Sequence, residues 1–510
     1  MNANLFTIIR AAMPDDLERP FAWLPDGRIY RYQDVLDVSA RFANVLVGLG
    51  VKPGDRVAVQ VEKSIEALML YLATIRAGAV FLPLNTAYTP AEVEYFLGDS
   101  EPRLFVCDPE RAPALQPLAD KAGAALETLG VWQSRDMSAG SLADKGLEAQ
   151  VRFEDVPRGG DDLAAILYTS GTTGRSKGAM LTHDNLSSNA EVLVDTWRFT
   201  ATDVLLHALP IYHTHGLFVA CNVMLLAGGS MLFLPKFDAD EVIRLLPRAT
   251  AMMGVPTFYA RLLARTGFTR EVVAHMRLFI SGSAPLLAET HAEFKRRTGH
   301  AILERYGMTE TGMNTSNPYD GERIAGTVGL PLPGTEIRVA DADTGAILKT
   351  GEIGILEVKG PNVFKGYWRM PEKTAAEFRD DGFFITGDIG LIDEKGYVHI
   401  VGRAKDLIIS GGFNVYPKEV ETLIDALPGI VESAVIGVPH PDFGEGVAAV
   451  VVRRPDAEIC EKDILAGLSD QIAKFKQPKR VFLVDSLPRN AMGKVQKTVL
   501  RERYADIFSD

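Results

Sequence analysis

Strand-length apolar runs alternate with helix-length segments through the first half of the chain, and that alternation leaves few folds open. Residues 56–61, RVAVQV, alternate as a strand; Ser64 can cap a helix running to Ala77, with Gly78 just past its end; residues 79–82 return as a strand. Thr89-Pro90 opens another helix with proline at its first position, and residues 104–107 are the next apolar run. Strands joined through helices need crossover connections, so the pattern predicts a parallel sheet covered by helices on both faces. Residues 277–280 and 287–297 repeat it in the centre of the chain.

At 510 residues the chain is too long for one core. From about 337 to 400 its character changes to short alternating strands with glycine turns, such as GEIGILEVKG and KGYVHIVG, which predicts an antiparallel sheet or small barrel. After Gly402 the pattern resets: a helix from Pro417 to about 427, strands over 431–438 and 447–452, a helix over 461–473 and a strand over 481–484. The expected class is therefore α/β. A large N-terminal domain, 1–402, is built on parallel αβα sheets with a β-rich, barrel-like subdomain over about 325–402, and a small α+β domain spans 406–510.

Residues around 137–160 are polar and poorly periodic and read as a surface excursion. Residues 216–234 carry only Asn222 and Ser230 as polar side chains. Gly228-Gly229 divides that stretch and Pro235 stops it, so it reads as a buried helix, a turn and a core strand and not as a membrane span.

The formal charge of −12, with no block of Lys and Arg, argues against nucleic-acid partners. Cys107, Cys221 and Cys460 are far apart and form no CxxC, as expected of thiols in a reducing compartment. With no basic n-region or cleavage signal at the N-terminus, a cytoplasmic address and no membrane partner are expected.

The strongest chemical signal is YTSGTTGRSKG at 168–178, directly after the apolar run 164–168. Ligands gather beyond the carboxyl ends of parallel strands. Glycines there free the backbone to wrap an anion, hydroxyls add donors, and Lys177 adds charge, so the loop reads as a phosphate cradle. A Walker A loop needs Gly-Lys followed by Ser or Thr; here Lys177 lies between Ser176 and Gly178.

Further blocks follow in order: LPIYHTHG at 209–216, SGSAPL at 281–286, ERYGMTET at 304–311, TGD at 386–388, GRAKDLIISGGFNVYPKEVE at 402–421 and PRNAMGK at 488–494. With the loop at 168–178 they resemble the adenylate-forming superfamily of acyl-CoA synthetases, adenylation domains and luciferases, over nearly the whole chain. Within that group SGSAPL, ERYGMTE and NTSNPYDGER are most similar to the malonyl-CoA synthetases.

The resemblance implies an acid–CoA ligase working through an acyl-adenylate, with ATP, Mg2+ and coenzyme A. It places nucleotide on Thr169, Ser170, Gly171, Thr172, Thr173, Gly174 and Lys177, on Ser283, Ala284 and Pro285, and on Glu304, Arg305, Tyr306, Gly307, Met308 and Thr309. Asp388 takes the ribose with Arg403 in support, and Tyr306 stacks along the adenine. Mg2+ falls to Glu310 and Thr169. Lys494, catalytic, reaches from a mobile C-terminal domain to the α-phosphate and the attacking carboxylate. Lys405 sits at the hinge, 403–405, and rotation there carries the loop at 410–413, with Gly411 and Gly412, toward the adenylate as the thiol arrives.

For the acid, the candidates are His213, which also stands among the catalytic residues, Arg261, Ser283, Arg305 and Met308. A fatty or aromatic acid needs an apolar pocket, whereas a dicarboxylate needs a second cation, which arginine supplies in bidentate form. Each arginine taken alone could equally be a structural ion pair. His213 and His215 flank one residue with no further ligand pattern, so they read as a pocket wall and not a metal pair. Malonate or methylmalonate is the expected acid. A medium-chain or aryl acyl-CoA synthetase is the alternative within the class. An amino-acid adenylation enzyme would need an acidic group near 209–216, which is absent, and a non-catalytic nucleotide-binding regulator would be expected to have lost Lys494, Glu310 or Asp388.

Overall fold

The computed structural model describes residues 2–130, 140–169, 176–410, 413–469, 471–490 and 493–508. Four sheets organise the chain. In a nine-stranded sheet, Pro20–Trp23, Ser230–Phe233, Val204–His207, Ala251–Gly254, Leu278–Ser281 and Leu303–Met308 run parallel in that spatial order, with antiparallel strands at both edges. In a seven-stranded sheet, Leu163–Thr169, Val80–Pro83, Arg56–Gln60, Leu104–Cys107 and Ala125–Thr128 are parallel.

The helix Ile65–Arg76 is buried at every one of its 12 positions, with Glu66 and Arg76 ion-paired to Arg28 and Asp155, and a helix buried all round lies between layers. It shares one core with inward-facing residues of both sheets, Val57 and Phe81 on one and Leu205 and Met231 on the other. The continuous segment 215–226, a π-helical stretch followed by an α-helix, lies in that same core. Separate clusters fill the outer faces of the two sheets, so helices and sheets alternate through the large domain.

The expected caps are present: Ser64 Oγ accepts from Ala67 N, and Thr89 and Thr182 form capping boxes. Residues 216–234 become helix, a Gly228-Gly229 turn and the strand Ser230–Phe233. Among the described residues no helix is long and apolar enough to cross a membrane.

Two local readings change. The phosphate-cradle block does not run straight into a helix: Lys177–Thr182 is a strand antiparallel to Leu163–Thr169, with Lys177 opposite Thr169. Its apolar stretch is too short for periodicity to separate strand from loop. Within the expected surface excursion, Ser141–Glu148 is a helix that buries Leu142 and Ala143 against the core.

The β-rich subdomain is a four-stranded antiparallel sheet, Glu336–Ala340, Gly354–Lys359, Phe384–Ile392 and Val398–Arg403. From Ile408 the chain builds its own five-stranded sheet, centred on the long pair Ile430–His440 and Gly444–Arg453. The helix Pro417–Asp425 packs on one face with its own core, and Lys497–Arg503 covers the other. The helix expected over 461–473 ends at Leu468, just past Gly467 and before Ser469, both weak helix residues.

Candidate active site

Four neighbouring parallel strands, ending at His207, Gly254, Ser281 and Met308, release their chains at one edge of the nine-stranded sheet. The blocks 209–216, 281–286 and 304–311 leave from that edge, where side chains from different strands converge.

Asp388 and Arg403 are cross-strand partners in the antiparallel subdomain, and their side chains pair, Nε to Oδ1, at 2.7 Å. Tyr306 donates its hydroxyl to Asp388 Oδ2, and Asp388 N donates to Thr386 Oγ1 at 3.0 Å. The carboxyl group is thus buried and oriented, and the nearby Asp388 raises the Arg403 pKa, keeping the guanidinium cationic. Tyr306, expected only to stack, also holds this carboxylate. Glu304 on the same strand is buried with Gly326 N donating to it at 3.4 Å, and burial pushes its carboxyl up to about 8.

Glu310 is buried, and burial raises its pKa. Thr169 Oγ1 donates to it at 3.4 Å and Tyr367 OH at 3.1 Å. Tyr367 OH also lies 2.7 Å from Glu377, which pairs with Lys177 at 3.2 Å, and the Lys177 ammonium stands 4.1 Å from the centre of the Tyr367 ring. Lys177, expected as a phosphate cation, is therefore paired with Glu377, a carboxylate it shares with Lys373 at 2.7 Å, so the two ammoniums have one counter-ion between them. Among the described residues no group of three or more His, Cys, Asp or Glu could hold a metal. Glu310 and Thr169 instead form a small hard-oxygen pair, which fits Mg2+ because that ion takes one or two protein oxygens and shares the rest with phosphates.

Lys494 sits on a turn closed by Asn490 N to Lys494 O at 2.9 Å and Lys494 N to Asn490 Oδ1 at 3.0 Å. The turn docks on the large domain: a Cβ on Gly493 would meet Thr257 Oγ1 at 3.2 Å. The side chain keeps solvent access at its surface, yet protein surrounds it closely enough that desolvation lowers the ammonium pKa to about 8. Arg403 and Lys405 push the same way, whereas Asp388 and Glu310 oppose them. Lys494 also acts on His213, whose pKa burial drives down to about 3 with Lys494 and Arg305 assisting. One ammonium therefore stands in the fields of the ribose-type carboxylate, the metal-type carboxylate and the histidine loop.

Beside that loop lies a cluster of polar side chains. Ser283 is held at φ 71°, a strained conformation for a non-glycine residue, and its Oγ lies 3.2 Å from His215 Nδ1. His215 N donates to His213 Nδ1 at 3.4 Å, so the neutral His213 ring carries its hydrogen on Nε2. Arg305 is buried, and its Nε and Nη2 have no hydrogen-bond partner among the described residues; His215 Nε2 and Ser281 Oγ are buried without partners there as well. The guanidinium lies so close to Gly282 that a Cβ there would meet its Cζ at 2.5 Å, so only glycine admits it. Burial lowers the Arg305 pKa, but an arginine stays protonated, which leaves a desolvated cation with no anion.

Arg261 does not join this group. It is exposed near the end of the helix Pro256–Leu263, turned roughly 200° around the axis from the buried Tyr259. Ala284, Gly307, Met308 and Thr309 line the same region half-buried, and Pro285 is exposed. Lys405 is exposed in the turn Ala404–Asp406, beside an Arg501–Asp406 ion pair at 2.6 Å. Ser170, Gly171, Thr172, Thr173, Gly174, Gly411 and Gly412 lie outside the described residues. Tyr367, Glu377, Gly282 and the bonding of His215 were not foreseen; each matters only through a partner distant in sequence.

Residues 11–368 match the AMP-binding enzyme family and residues 419–494 the AMP-binding enzyme C-terminal domain. A crystal structure of ATP-bound MatB from Rhodopseudomonas palustris is 63% identical, with a TM-score of 0.97 and 100% of each chain covered. A malonate–CoA ligase of Arabidopsis thaliana is 33% identical over 94% of this chain and 85% of its own length. A feruloyl-CoA synthase of an Amycolatopsis species is 38% identical over 94% of each.

Proposed function

Because the chain belongs to the AMP-binding enzyme family, we propose that it is an ATP-dependent acid–CoA ligase whose acid is malonate, with methylmalonate as a second acid of the same chemistry. The observation that carries the choice of acid is Arg305, a buried cation lacking an anion in a pocket that also offers His213, His215, Ser281 and Ser283. Such a pocket wastes binding on an aromatic or fatty tail but matches a distal carboxylate. The likeness to MatB and to the Arabidopsis malonate–CoA ligase supports the same choice.

In the first half-reaction one malonate carboxylate oxygen bonds to the α-phosphorus of ATP, and the bond from that phosphorus to the bridging oxygen breaks, releasing pyrophosphate. No proton moves; the barrier is charge and alignment. Lys494 offers an ammonium to the α-phosphate and the incoming carboxylate, Asp388 takes the ribose hydroxyls, and Arg305 with His213 Nε2–H holds the far end of the acid. Glu310 and Thr169 would hold Mg2+, which would supply positive charge at the phosphates. In the second half-reaction the CoA sulfur bonds to the acyl carbon, AMP leaves, and the thiol proton passes to solvent. The boundary at Lys405 lets the 406–510 domain rotate, withdrawing Lys494 and bringing in the loop at 410–413.

The test is a panel of acids assayed by pyrophosphate release. Malonate is expected to exceed octanoate, coumarate and ferulate by about 100-fold or more in kcat/KM, the scale of one satisfied buried charge. A preference for ferulate or octanoate removes the dicarboxylate reading. Separately, Asp388→Asn is expected to raise the KM for ATP about tenfold, because a neutral amide loses one charge-assisted acceptor for the ribose. An unchanged KM would place the ribose elsewhere.

A further inference from the structure

A second buried polar cluster lies directly behind the histidine loop and takes no part in the chemistry above. Lys63 follows the strand Arg56–Gln60, just ahead of the Ser64 cap, and is buried; among the described residues no carboxylate pairs with it. Its Nζ lies 2.9 Å from His207 Nδ1 and donates to His207 O at 3.0 Å, and it stands 4.3 Å from the centre of the Phe233 ring. His207, at the end of a central parallel strand, is buried as well, and its Nε2 lies 2.8 Å from Gly216 O, with Cys221 Sγ 3.4 Å from that nitrogen.

The donor and acceptor roles follow from what each atom can do. A carbonyl oxygen only accepts, so His207 Nε2 carries hydrogen. Nδ1 is then the acceptor of the neutral ring, and Lys63 Nζ, whose pKa burial lowers to about 7, carries N–H groups that donate to it whether or not the amine is charged. Desolvation disfavours an imidazolium beside an ammonium, in keeping with the strongly lowered pKa of His207.

Gly216 is where this reaches the acid pocket. Its Cα packs so tightly on the chain that a Cβ would meet Pro210 O at 2.0 Å, and Leu217 N next to it donates to His213 O at 3.0 Å. The Gly216 carbonyl therefore anchors the returning end of the loop that carries His213 and His215, with Ser283 fastening the other side.

We propose that Lys63 is a positioning residue for the acid site: it holds His207 in the Nε2–H tautomer, and His207 thereby pins Gly216 and sets the His213–His215 loop against Ser283 and Arg305. This rests on the reading of that pocket as the acid site. Lys63 touches no substrate and acts through two hydrogen bonds in series.

Long-range 1H–15N NMR of the histidine-labelled wild-type enzyme, with His207 assigned from the signals lost in His207→Gln, is expected to show Nε2–H and a bare Nδ1 at about pH 7. An Nδ1–H tautomer or an imidazolium overturns the proposal, whatever any variant does. Lys63→Met is expected to raise the KM for malonate about tenfold, the equivalent of one buried hydrogen bond, with the KM for ATP unchanged. His207→Gln, whose amide can still donate to Gly216 O, is expected to restore most of the affinity lost in His207→Asn, which is too short to reach it. Equal malonate KM values in these two variants, or a parallel rise for ATP, assign the cluster to packing alone. If the wild-type enzyme prefers another acid, the substrate reading fails, while the tautomer and the KM of that acid still decide the role of Lys63.

Discussion

Lys494→Ala is expected to slow malonate-dependent pyrophosphate release by about 100- to 1000-fold, the usual consequence of removing one preorganised donor from a developing charge. Thioester formation from supplied malonyl-AMP and CoA should stay near the wild-type rate, because the proposed rotation withdraws the ammonium before that step. The side chain earns this weight from its position: it lies in the fields of Asp388, Glu310 and His213, on a turn docked against Thr257. The same surroundings set a pH limit. The active form is the ammonium, and desolvation lowers its pKa to about 8, so the proton is lost earlier than in an ordinary lysine as pH rises. For adenylation, kcat/KM should decline above about pH 8, since it reports the free enzyme. Bound nucleotide adds negative charge and raises the pKa, so the decline in kcat should move to higher pH. Equal losses in both half-reactions for Lys494→Ala would assign the residue to structure.

Arg305→Leu is expected to separate function from stability. The buried guanidinium has unpartnered nitrogens and lies against Gly282, an arrangement that costs desolvation energy and returns little of it until an anion arrives. Replacing it with an apolar side chain should leave the fold unharmed or more stable by about 1–4 kcal/mol, read as a higher urea midpoint at constant slope. Malonate kcat/KM should nevertheless fall about 1000-fold, from loss of a buried charge-assisted pair, while use of acetate changes far less. Arg261→Ala, at an exposed helix position, should alter neither measurement appreciably. A destabilised Arg305→Leu that loses acetate and malonate equally would mean that the guanidinium is structural.

The residues that the sequence reading weighed equally show where legibility ended. Arg261 and Arg305 are the same side chain in two plausible motifs, and nothing local separates them. One emerges on the outward side of a short helix; the other lies on a strand whose side chain is enclosed by Gly282 and Tyr259. Tyr367 and Glu377 carried no signal, although they hold Glu310 and pair with Lys177, because their partners are 57 and 200 residues away. Lys177 read as a free cation for the same reason.

Local order determined a good deal by itself. The alternation of strands and helices, the caps at Ser64, Thr89 and Thr182, the buried helix–turn–strand over 216–234 and the reset after Gly402 all depend on periodicity and on bonds within a few residues, and these are written in the chain. The order of the motif blocks likewise carried the family. Tertiary structure decided which polar groups meet: Asp388 with Tyr306 and Arg403, Glu310 with Thr169, Lys494 within the fields of both carboxylates, and Arg305 with no anion among the described residues. Burial and electrostatic fields are properties of packed neighbours, and they come into being only when distant strands release their chains at one edge.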